Sequence, residues 1–373
     1  MKKCSLLLAL IFLCFLSLSA QNNEQRKQFA VYAVAFYNLE NLFDTIDQPD
    51  VLDEEFTPHG GMRWTSLKYN NKLKNMSYAI SQLATDGPFP LPNGPAIIGI
   101  SEIENRGVVE DLIKTGKLAE RNYGIVHYDS PDRRGVDVGL IYDKDQFTLE
   151  NSDSFRLVYP ADTSLRTRDQ LLVNGILGGE RVHIIVNHWP SRLGGEKQSR
   201  PKREAAAALT KHIADSVLTA DPNSKVIIMG DLNDDPNNTS CKVVLGAKKD
   251  QKDVKPGGYY NTMWNFFDKG IGSLAYQGSW NLFDQIIISE NFLGKDRSTL
   301  KFIKAEIFNR DFLKQTEGKY KGNKVDVLFD IKPLNVKPEY ITVPERTHAG
   351  GVYLNGYSDH FPTLIYLAKE VNR

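Results

Sequence analysis

The chain is poor in cysteine and in long apolar runs, and each shortage excludes a class of protein. It has three cysteines in 373 residues, and two of them, Cys4 and Cys14, lie in an apolar segment at the start. Only Cys241 lies beyond that segment, so the rest of the chain has no internal disulfide and no zinc site built on cysteines. No later stretch approaches the roughly 18 consecutive apolar residues that a membrane helix needs. A hydrophobic core must therefore stabilise the fold.

An excess of charge of one sign is also lacking, because 46 Lys and Arg residues balance 46 Asp and Glu residues. Such a chain does not attract nucleic acid as a whole, so any affinity for phosphate must be local. With 41% hydrophobic residues, the composition is that of an ordinary globular protein, long enough for one large core or two smaller ones.

Residues 1–20 have the pattern of a secretory signal peptide. Lys2 and Lys3 precede an apolar run, Ser5–Leu18, which ends in small residues at Ala20. An uncleaved anchor helix is the alternative, although the run is short for one. The cysteines of this segment lack the context that lipidation needs. We expect export from the cytoplasm and a mature chain that begins at Gln21, with a net charge of −2 because two lysines and no acid are lost.

Apolar segments of strand length recur along the chain, rich in Val and Ile and with little alternation, which predicts strands buried on both faces. They are Val31–Tyr37, Ala96–Ile100, Val136–Tyr142, Val182–Val186, Val226–Met229 and Ile286–Ile288. Leu67–Leu83 and Lys202–Leu218 have the periodicity of amphipathic helices. Strands that alternate with helices predict an α/β protein whose sheets are covered by helices. We expect residues 29–370 to form one domain.

Polar side chains gather at the ends of these predicted strands, where a rigid sheet can fix the geometry of a site. The residues are Asn38, Glu40, Glu102, His188, Asp231, Asn233 and Asp284, with Asp359 and His360 near the C-terminus. Carboxylate and amide oxygens with one or two imidazoles suit Mg²⁺ or Mn²⁺. Such a set can offset phosphate charge, deprotonate a water and protonate a leaving oxygen, as phosphodiester hydrolysis requires.

Each part of this set also has a purely structural interpretation. Residues 38–41 suit a turn or a helix cap, and Gly230–Asn233 suits a turn after a strand. A lone histidine such as His188 is more often structural than catalytic. The joint occurrence and order of the motifs favour the functional interpretation.

Seven motifs resemble those of the endonuclease/exonuclease/phosphatase superfamily, which includes pancreatic-type DNases, abasic-site endonucleases, neutral sphingomyelinases and inositol-polyphosphate phosphatases. They are Tyr37–Phe43, Ser101–Asn105, Arg134–Gly139, Asn187–Arg192, Gly230–Asn233, Phe283–Ile286 and Ser358–Pro362. They follow the family's order and extend over nearly the whole mature chain, and their spelling is most similar to that of secreted bacterial nucleases. The resemblance implies a four-layer α/β sandwich, in which two packed sheets are flanked by helices and the site lies at one rim.

The resemblance also implies a metal site for Mg²⁺ or Mn²⁺. Glu102 would be the main metal ligand. Asn38 and Asp359 would lie in the first or second shell of ligands around the metal. Glu40 occupies a position that helps to shape the metal site.

Five further positions match catalytic residues of the family. His360 would lie beside the scissile phosphate, and Asp284 would orient it by fixing the tautomer of its ring. Asp231 would align the nucleophilic water or assist the leaving group. Asn233 would donate a hydrogen bond to a phosphoryl oxygen in the transition state. His188 matches the histidine of DNase-like and sphingomyelinase-like members.

Basic residues that follow His188 suit either a phosphate clamp or a solvated loop and helix start. Because arginine binds phosphate oxygens bidentately, we assign Arg192 and Arg203, together with Arg134, to substrate binding. An aromatic segment, Tyr259–Phe267, is expected to lie in the core, although stacking on bases or entering a lipid surface is the alternative.

These features favour an extracytoplasmic endonuclease of low sequence specificity, acting on DNA or RNA. A sphingomyelinase-like or inositol-phosphate enzyme would use the same chemistry, and a lipid enzyme should expose an apolar hairpin near the site. A non-catalytic binding module is the remaining alternative, and it is disfavoured because every matched position is chemically competent. We expect no protein partner and no stable membrane span.

Overall fold

Sixteen strands and four α-helices are present in residues 27–276, 279–316 and 342–371, which the computed structural model describes. The first strands are β1 (Gln28–Leu42), β2 (Ile97–Ile103), β3 (Tyr123–His127), β4 (Asp137–Asp143), β5 (Phe147–Phe155), β6 (Gln170–Leu177), β7 (Glu180–His188) and β8 (Lys225–Asp231). The others are β9 (Tyr259–Asn261), β10 (Leu274–Tyr276), β11 (Ser279–Asn281), β12 (Asp284–Ser289), β13 (Lys301–Ile307), β14 (His348–Ala349), β15 (Val352–Tyr353) and β16 (Thr363–Val371). The helices are α1 (Ser66–Gln82), α2 (Arg106–Ile113), α3 (Glu196–Ala220) and α4 (Trp264–Asp268). The predicted signal peptide lies outside the described residues.

The strands form two six-stranded sheets and two short hairpins. The first sheet has the order β13-β16-β1-β2-β4-β3, and the second has the order β5-β6-β7-β8-β12-β9. Each sheet contains one parallel pair near its centre, β1 with β2 and β7 with β8, whereas the other neighbours are antiparallel. The parallel strands of each pair therefore end at the same edge of their sheet.

Alternating side chains of the central strands enter two different cores. In β8, Ile227 and Met229 belong to a core that fills the space between the sheets, whereas Val226 and Ile228 face a second core beneath α3. All of these side chains are fully buried. This double burial confirms the interpretation of the Val/Ile-rich segments. At the edge that carries the site, β1, β2, β7, β8 and β12 extend beyond the predicted segments because polar site residues continue them.

The helices cover the outer faces of both sheets. Helix α1 differs from the predicted segment by one residue at each end. Helix α3 begins at Glu196, six residues before the predicted start, because its first turns are polar and contain Pro201 and so lack apolar periodicity. The sequence did not predict α2, which has only eight residues; the Asn105 side chain caps it by accepting a hydrogen bond from the Val108 N–H.

Helix, sheet, sheet and helix thus form the four layers expected of the resemblance. The aromatic segment is also part of the core, as expected, since Tyr259, Tyr260 and Trp264 are buried. Within the described part of the chain, no helix combines the length and the apolar character needed to cross a membrane.

Candidate active site

Three polar side chains lie in one row across the second sheet. Asp231 at the end of β8 pairs in register with His188 at the end of β7 and with Asp284 at the start of β12. Residues in register on neighbouring strands project to the same face. Gly230 allows the close approach of β8 to β7 at this point, because a Cβ atom there would lie 2.2 Å from the Asn187 carbonyl oxygen.

Backbone irregularities aim the side chains that the first sheet contributes. The pairing of β1 with β2 shifts register between Asn38 and Leu42, and the pairing of β2 with β4 shifts between Ser101 and Ile103. Glu102 lies in the second irregularity with a φ of 58°. Bulges of this kind redirect a side chain at a sheet edge, and here they turn polar groups towards the second sheet.

Left-handed backbone is concentrated at this rim. Among the described residues, eight that are not glycine have positive φ, and four of the eight belong to the motifs of the site: Glu40, Asn41, Glu102 and Asn233. Non-glycine residues seldom adopt this region, and they persist there only where the surrounding structure holds them. Hydrogen bonds do so here: the Asn41 N–H donates to Glu102 Oε2 at 3.0 Å, and the Asn233 N–H donates to Asp231 Oδ1 at 2.9 Å.

The two sheets meet at Asn38. Its Nδ2 donates to Glu102 Oε1 at 3.2 Å and to Asp231 Oδ2 at 3.0 Å. His188 Nε2 lies 3.9 Å from Glu102 Oε1 and 3.7 Å from Asp231 Oδ2. One amide therefore holds together carboxylates that come from different sheets.

His360 stands next to this cluster and is oriented by a buried carboxylate. Its Nδ1 lies 2.7 Å from Asp284 Oδ2, and its Nε2 lies 3.9 Å from Asp231 Oδ2. The Ser273 hydroxyl donates to the same Asp284 oxygen. Because the fully buried Asp284 binds Nδ1, the other ring nitrogen of His360, Nε2, faces the site.

Burial and neighbouring charges separate the protonation behaviour of the site residues. Burial raises the pKa of Asp231 to about 7, although His360 opposes this shift. Burial alone would lower the pKa of His360, but Asp284 and Asp359 raise it well above its ordinary value. Burial and the nearby Arg168 hold the pKa of His188 well below its ordinary value. At neutral pH the site therefore contains a cationic His360 and a neutral His188.

A pocket of about 910 Å³ opens above these residues. Its floor includes Glu102, His188, Asp231, Asn233 and His360. Its walls carry basic side chains from three separate segments. These are Arg133 and Arg134 from the β3–β4 connection, Arg166 from the β5–β6 connection, and Lys202 from α3.

Comparison with known proteins decides the family. A model of the endonuclease/exonuclease/phosphatase family matches residues 33–369. The chain belongs to this family. No curated protein sequence matches the chain. Family membership makes the protein a metal-dependent hydrolase of phosphoester bonds.

Solved structures show the same fold. An endonuclease/exonuclease/phosphatase family protein from Bacteroides thetaiotaomicron has a TM-score of 0.50 and 14% identity, covering 93% of this chain and 98% of that one. TDP2 from Caenorhabditis elegans gives 0.50 and 14%, with 94% and 77% covered. A mannosyl-6-phosphatase from Bacteroides thetaiotaomicron gives 0.49 and 14%, with 90% and 99% covered. At this identity the likeness to the first two concerns the fold alone, and nothing is argued from the third, whose TM-score is below 0.5.

The donor set fits the divalent metal on which the endonuclease/exonuclease/phosphatase family depends. Ligand atoms of Glu102, His188 and Asp231 lie within 4.8 Å of one another. Glu102 is the most exposed of the three and lines the pocket. Carboxylate oxygens at a pocket floor suit a hard cation that keeps some of its waters. Glu102 is placed to hold it, with Asp231 beside it. The Asn38 amide instead directs its Nδ2 donor at both carboxylates, and its Oδ1 accepts the Glu40 N–H.

The structure places Glu40 where it supports the site, and its predicted part in shaping the metal site stays a prediction. Its carboxylate accepts backbone N–H bonds from Thr347 at 2.6 Å and His348 at 3.2 Å. Arg346, on the same segment, lies 2.5 Å from Asp359 Oδ2. Glu40 thus fixes the segment whose arginine holds Asp359 next to His360, at 3.8 Å from its Nε2.

The structure also corrects two predicted substrate-binding residues. Arg203 is fully buried and its Nε lies 2.7 Å from Asp234 Oδ1. Arg192 donates to the Asn233 carbonyl at 2.9 Å and to Asp234 at 3.2 Å, and its side chain is only 11% exposed. Both guanidinium groups are used inside the protein. Arg134, in contrast, is exposed and lines the pocket, and its part in substrate binding stays a prediction.

Several site residues were missed by the sequence analysis. Arg133 and Arg166 carry the basic wall, and a signal for them existed in the doubled arginine at 133–134 and in the Arg-Thr-Arg run at 166–168. Lys72 on α1 is buried and donates to the Thr347 hydroxyl and the Tyr357 carbonyl. It could not be predicted, because a helical pattern does not distinguish a buried lysine from an exposed one.

Proposed function

We propose that the protein is an endonuclease of low sequence specificity that acts outside the cytoplasm on DNA or RNA. The observation that carries this proposal is the basic wall of the pocket, formed by Arg133, Arg134, Arg166 and Lys202. The whole chain has no excess of positive charge, so cations gathered at one rim provide a local grip for a polyanion. Contacts of this kind are made to phosphates and carry no base information.

Each side chain of the site would have its own role in the cleavage of a phosphodiester. A bound divalent metal would polarise the phosphoryl oxygens and offset their charge. Asp231, which pairs in register with His188 and Asp284 at the pocket floor, would align the attacking water. Cationic His360, fixed by Asp284, would stabilise the negative charge that develops on the phosphoryl group.

Asn233 is held ready to bind the phosphoryl group. Its Nδ2 donates to the Trp189 carbonyl at 3.0 Å, which uses one of the two amide protons and directs the side chain. Neutral His188 presents Nε2 to the same space and would donate or accept a hydrogen bond without adding charge.

A lipid substrate is disfavoured by the aromatic segment Tyr259–Phe267. A sphingomyelinase-like enzyme should expose an apolar hairpin near its site, but Tyr259, Tyr260 and Trp264 are buried in the core. An inositol-phosphate enzyme would also use basic walls, so it remains the alternative that the assay must separate. Purified protein should be given plasmid DNA, RNA, sphingomyelin and inositol phosphates, each with Mg²⁺, Mn²⁺ or EDTA. Cleavage of lipid or sugar phosphate with nucleic acid left intact would reject the proposal.

Binding to nucleic acid should depend on salt through the basic wall. We expect Arg134→Ala with Arg166→Ala to weaken oligonucleotide binding and to reduce the slope of log K against log salt by about one for each phosphate that is no longer neutralised. Fluorescence anisotropy in EDTA measures binding without cleavage. Arg106→Ala with Lys114→Ala is the matched control, because it removes the same charge from surface ion pairs with Glu110. Equal slopes in both double variants would contradict the assignment.

A further inference from the structure

One buried guanidinium joins the catalytic floor of the pocket to its basic wall. Arg168 is only 7% exposed. Its Nε donates to the His188 carbonyl at 3.2 Å and its Nη2 donates to the Trp189 carbonyl at 2.6 Å. These carbonyls lie at and just beyond the last pair of the β7–β8 ladder. Arg168 therefore supplies donors where the sheet stops and fixes the strand end that carries His188.

The remaining arm of Arg168 reaches the loop that carries two wall arginines. Its Nη1 donates to Asp132 Oδ2 at 3.1 Å. Asp132 is 6% exposed, and its Oδ1 accepts the N–H of Arg134 at 3.0 Å. The same carboxylate oxygen lies 3.8 Å from the Arg134 Nε. Asp132 thus transmits the position of Arg168 to the backbone and side chain of Arg134.

We infer that Arg168 and Asp132 are positioning residues that hold His188 and the loop with Arg133 and Arg134 in a fixed relation. The Arg168 half of this pair serves the chemical step, because it sets where His188 Nε2 lies. The Asp132 half serves substrate binding, because it sets where the wall arginines lie. The Asp132 half rests on the proposed function, since only a polyanionic substrate engages the wall.

The Arg168 half and the Asp132 half of the inference predict different effects, one on kcat and the other on binding. Arg168→Lys keeps the charge but cannot reach two carbonyls and a carboxylate, since an ammonium lacks the planar fork. We expect kcat for bis(p-nitrophenyl) phosphate to fall by at least about tenfold, because sub-ångström misplacement at a reacting centre is costly, while its KM changes by less than about twofold. Asp132→Asn keeps the bonds to the carbonyls. We expect kcat for this small diester to fall by less than it does in Arg168→Lys, and oligonucleotide binding to weaken with a flatter salt slope, as in Arg134→Ala.

Controls separate positioning from general stability. Arg181→Lys alters an exposed arginine at the opposite end of β7, which pairs with Glu150, and it should change neither readout. Thermal melts accompany every variant. If Arg168→Lys is unfolded at the assay temperature, Arg168→Gln, which retains one amide donor for a carbonyl, replaces it.

The outcomes decide the inference. The crossed pattern, with a reduced kcat in one variant and weakened binding in the other, supports it. Parallel decreases of kcat and binding in both variants, in proportion to their decrease of Tm, would overturn it in favour of a merely structural pair. If the wild-type protein cleaves the small diester but binds and cleaves no nucleic acid, the proposed function and the Asp132 half both fail. The Arg168 half is then still decided by the small-diester kinetics.

Discussion

At the scale of single residues, Glu102 is the ligand on which metal binding should depend. Glu102→Gln keeps the size of the side chain and removes its charge, so the metal loses its main anionic partner. We expect kcat to fall by at least about 100-fold, since even an outer-shell partner can cost that much. The Tm of the metal-free protein should fall, because one amide oxygen cannot accept from both the Asn38 side chain and the Asn41 N–H. The rise of Tm with added Mg²⁺ should disappear.

Scanning calorimetry with and without metal tests this expectation, together with initial rates. Glu110→Gln, on the surface of α2, is the control and should leave both readings as in the wild type. Turnover of Glu102→Gln at the wild-type rate in Mg²⁺ would exclude Glu102 as the main ligand.

Asp284 and His360 should act as one unit. Since Asp284 fixes Nδ1 of His360, removing either residue should cost a similar factor in kcat, and removing both should cost little more. The pKa of His360 is raised by Asp284, so Asp284→Asn should lower it. NMR titration of the His360 ring in metal-free protein measures this shift directly. Fully additive effects in the double variant, or an unchanged titration, would separate the two residues.

At the scale of an element, the start of α3 shows two neighbouring cations with different uses. Arg203 is buried against the fully buried Asp234, whereas Lys202 lines the pocket. Arg203→Ala leaves a buried carboxylate without this partner, and we expect a decrease of about 3–5 kcal/mol in the free energy of unfolding. Lys202→Ala should preserve stability and weaken oligonucleotide binding.

Urea denaturation and anisotropy on the same two variants distinguish these effects. The adjacent positions form a matched pair on one helix. A stable Arg203→Ala protein with weakened, salt-dependent binding would restore Arg203 to the substrate-binding set.

Sequence patterns predicted those elements whose burial leaves a local signature. The central strands were found because both faces are apolar, as in Val226–Met229. The edge strand β5, Phe147–Phe155, was not found because it is polar and half exposed. Motifs located the pocket floor, since the chemistry restricts the residue types. The wall was predicted only in part, because the direction of a basic side chain depends on tertiary contacts: Lys202 and Arg203 are equivalent in sequence and differ only in what faces them.

At the scale of the whole molecule, the segment before the fold is expected to direct the protein out of the cytoplasm. Strand β1 starts at Gln28, so cleavage after Ala20 would leave it whole. Mass spectrometry of exported material should find a chain that begins at Gln21. Replacing the apolar run Ser5–Leu18 by polar residues should abolish export without changing the activity of the purified protein. Recovery of only an intact Met1 form in the cytosol would reject the signal peptide.

The residues with left-handed backbone at the rim also make thermal stability and catalysis compete. Glu40, Asn41, Glu102 and Asn233 each hold a side chain on backbone that favours glycine, at a cost of order 1–3 kcal/mol apiece. Glycine at Glu102 or Asn233 would relieve that cost, so a screen for heat resistance alone would reward the removal of side chains assigned to metal and phosphate. Heat-resistant clones altered at these two positions should be inactive. Engineering for thermal stability should instead be directed to the exposed faces of α1 and α2, to which no metal or phosphate contact is assigned.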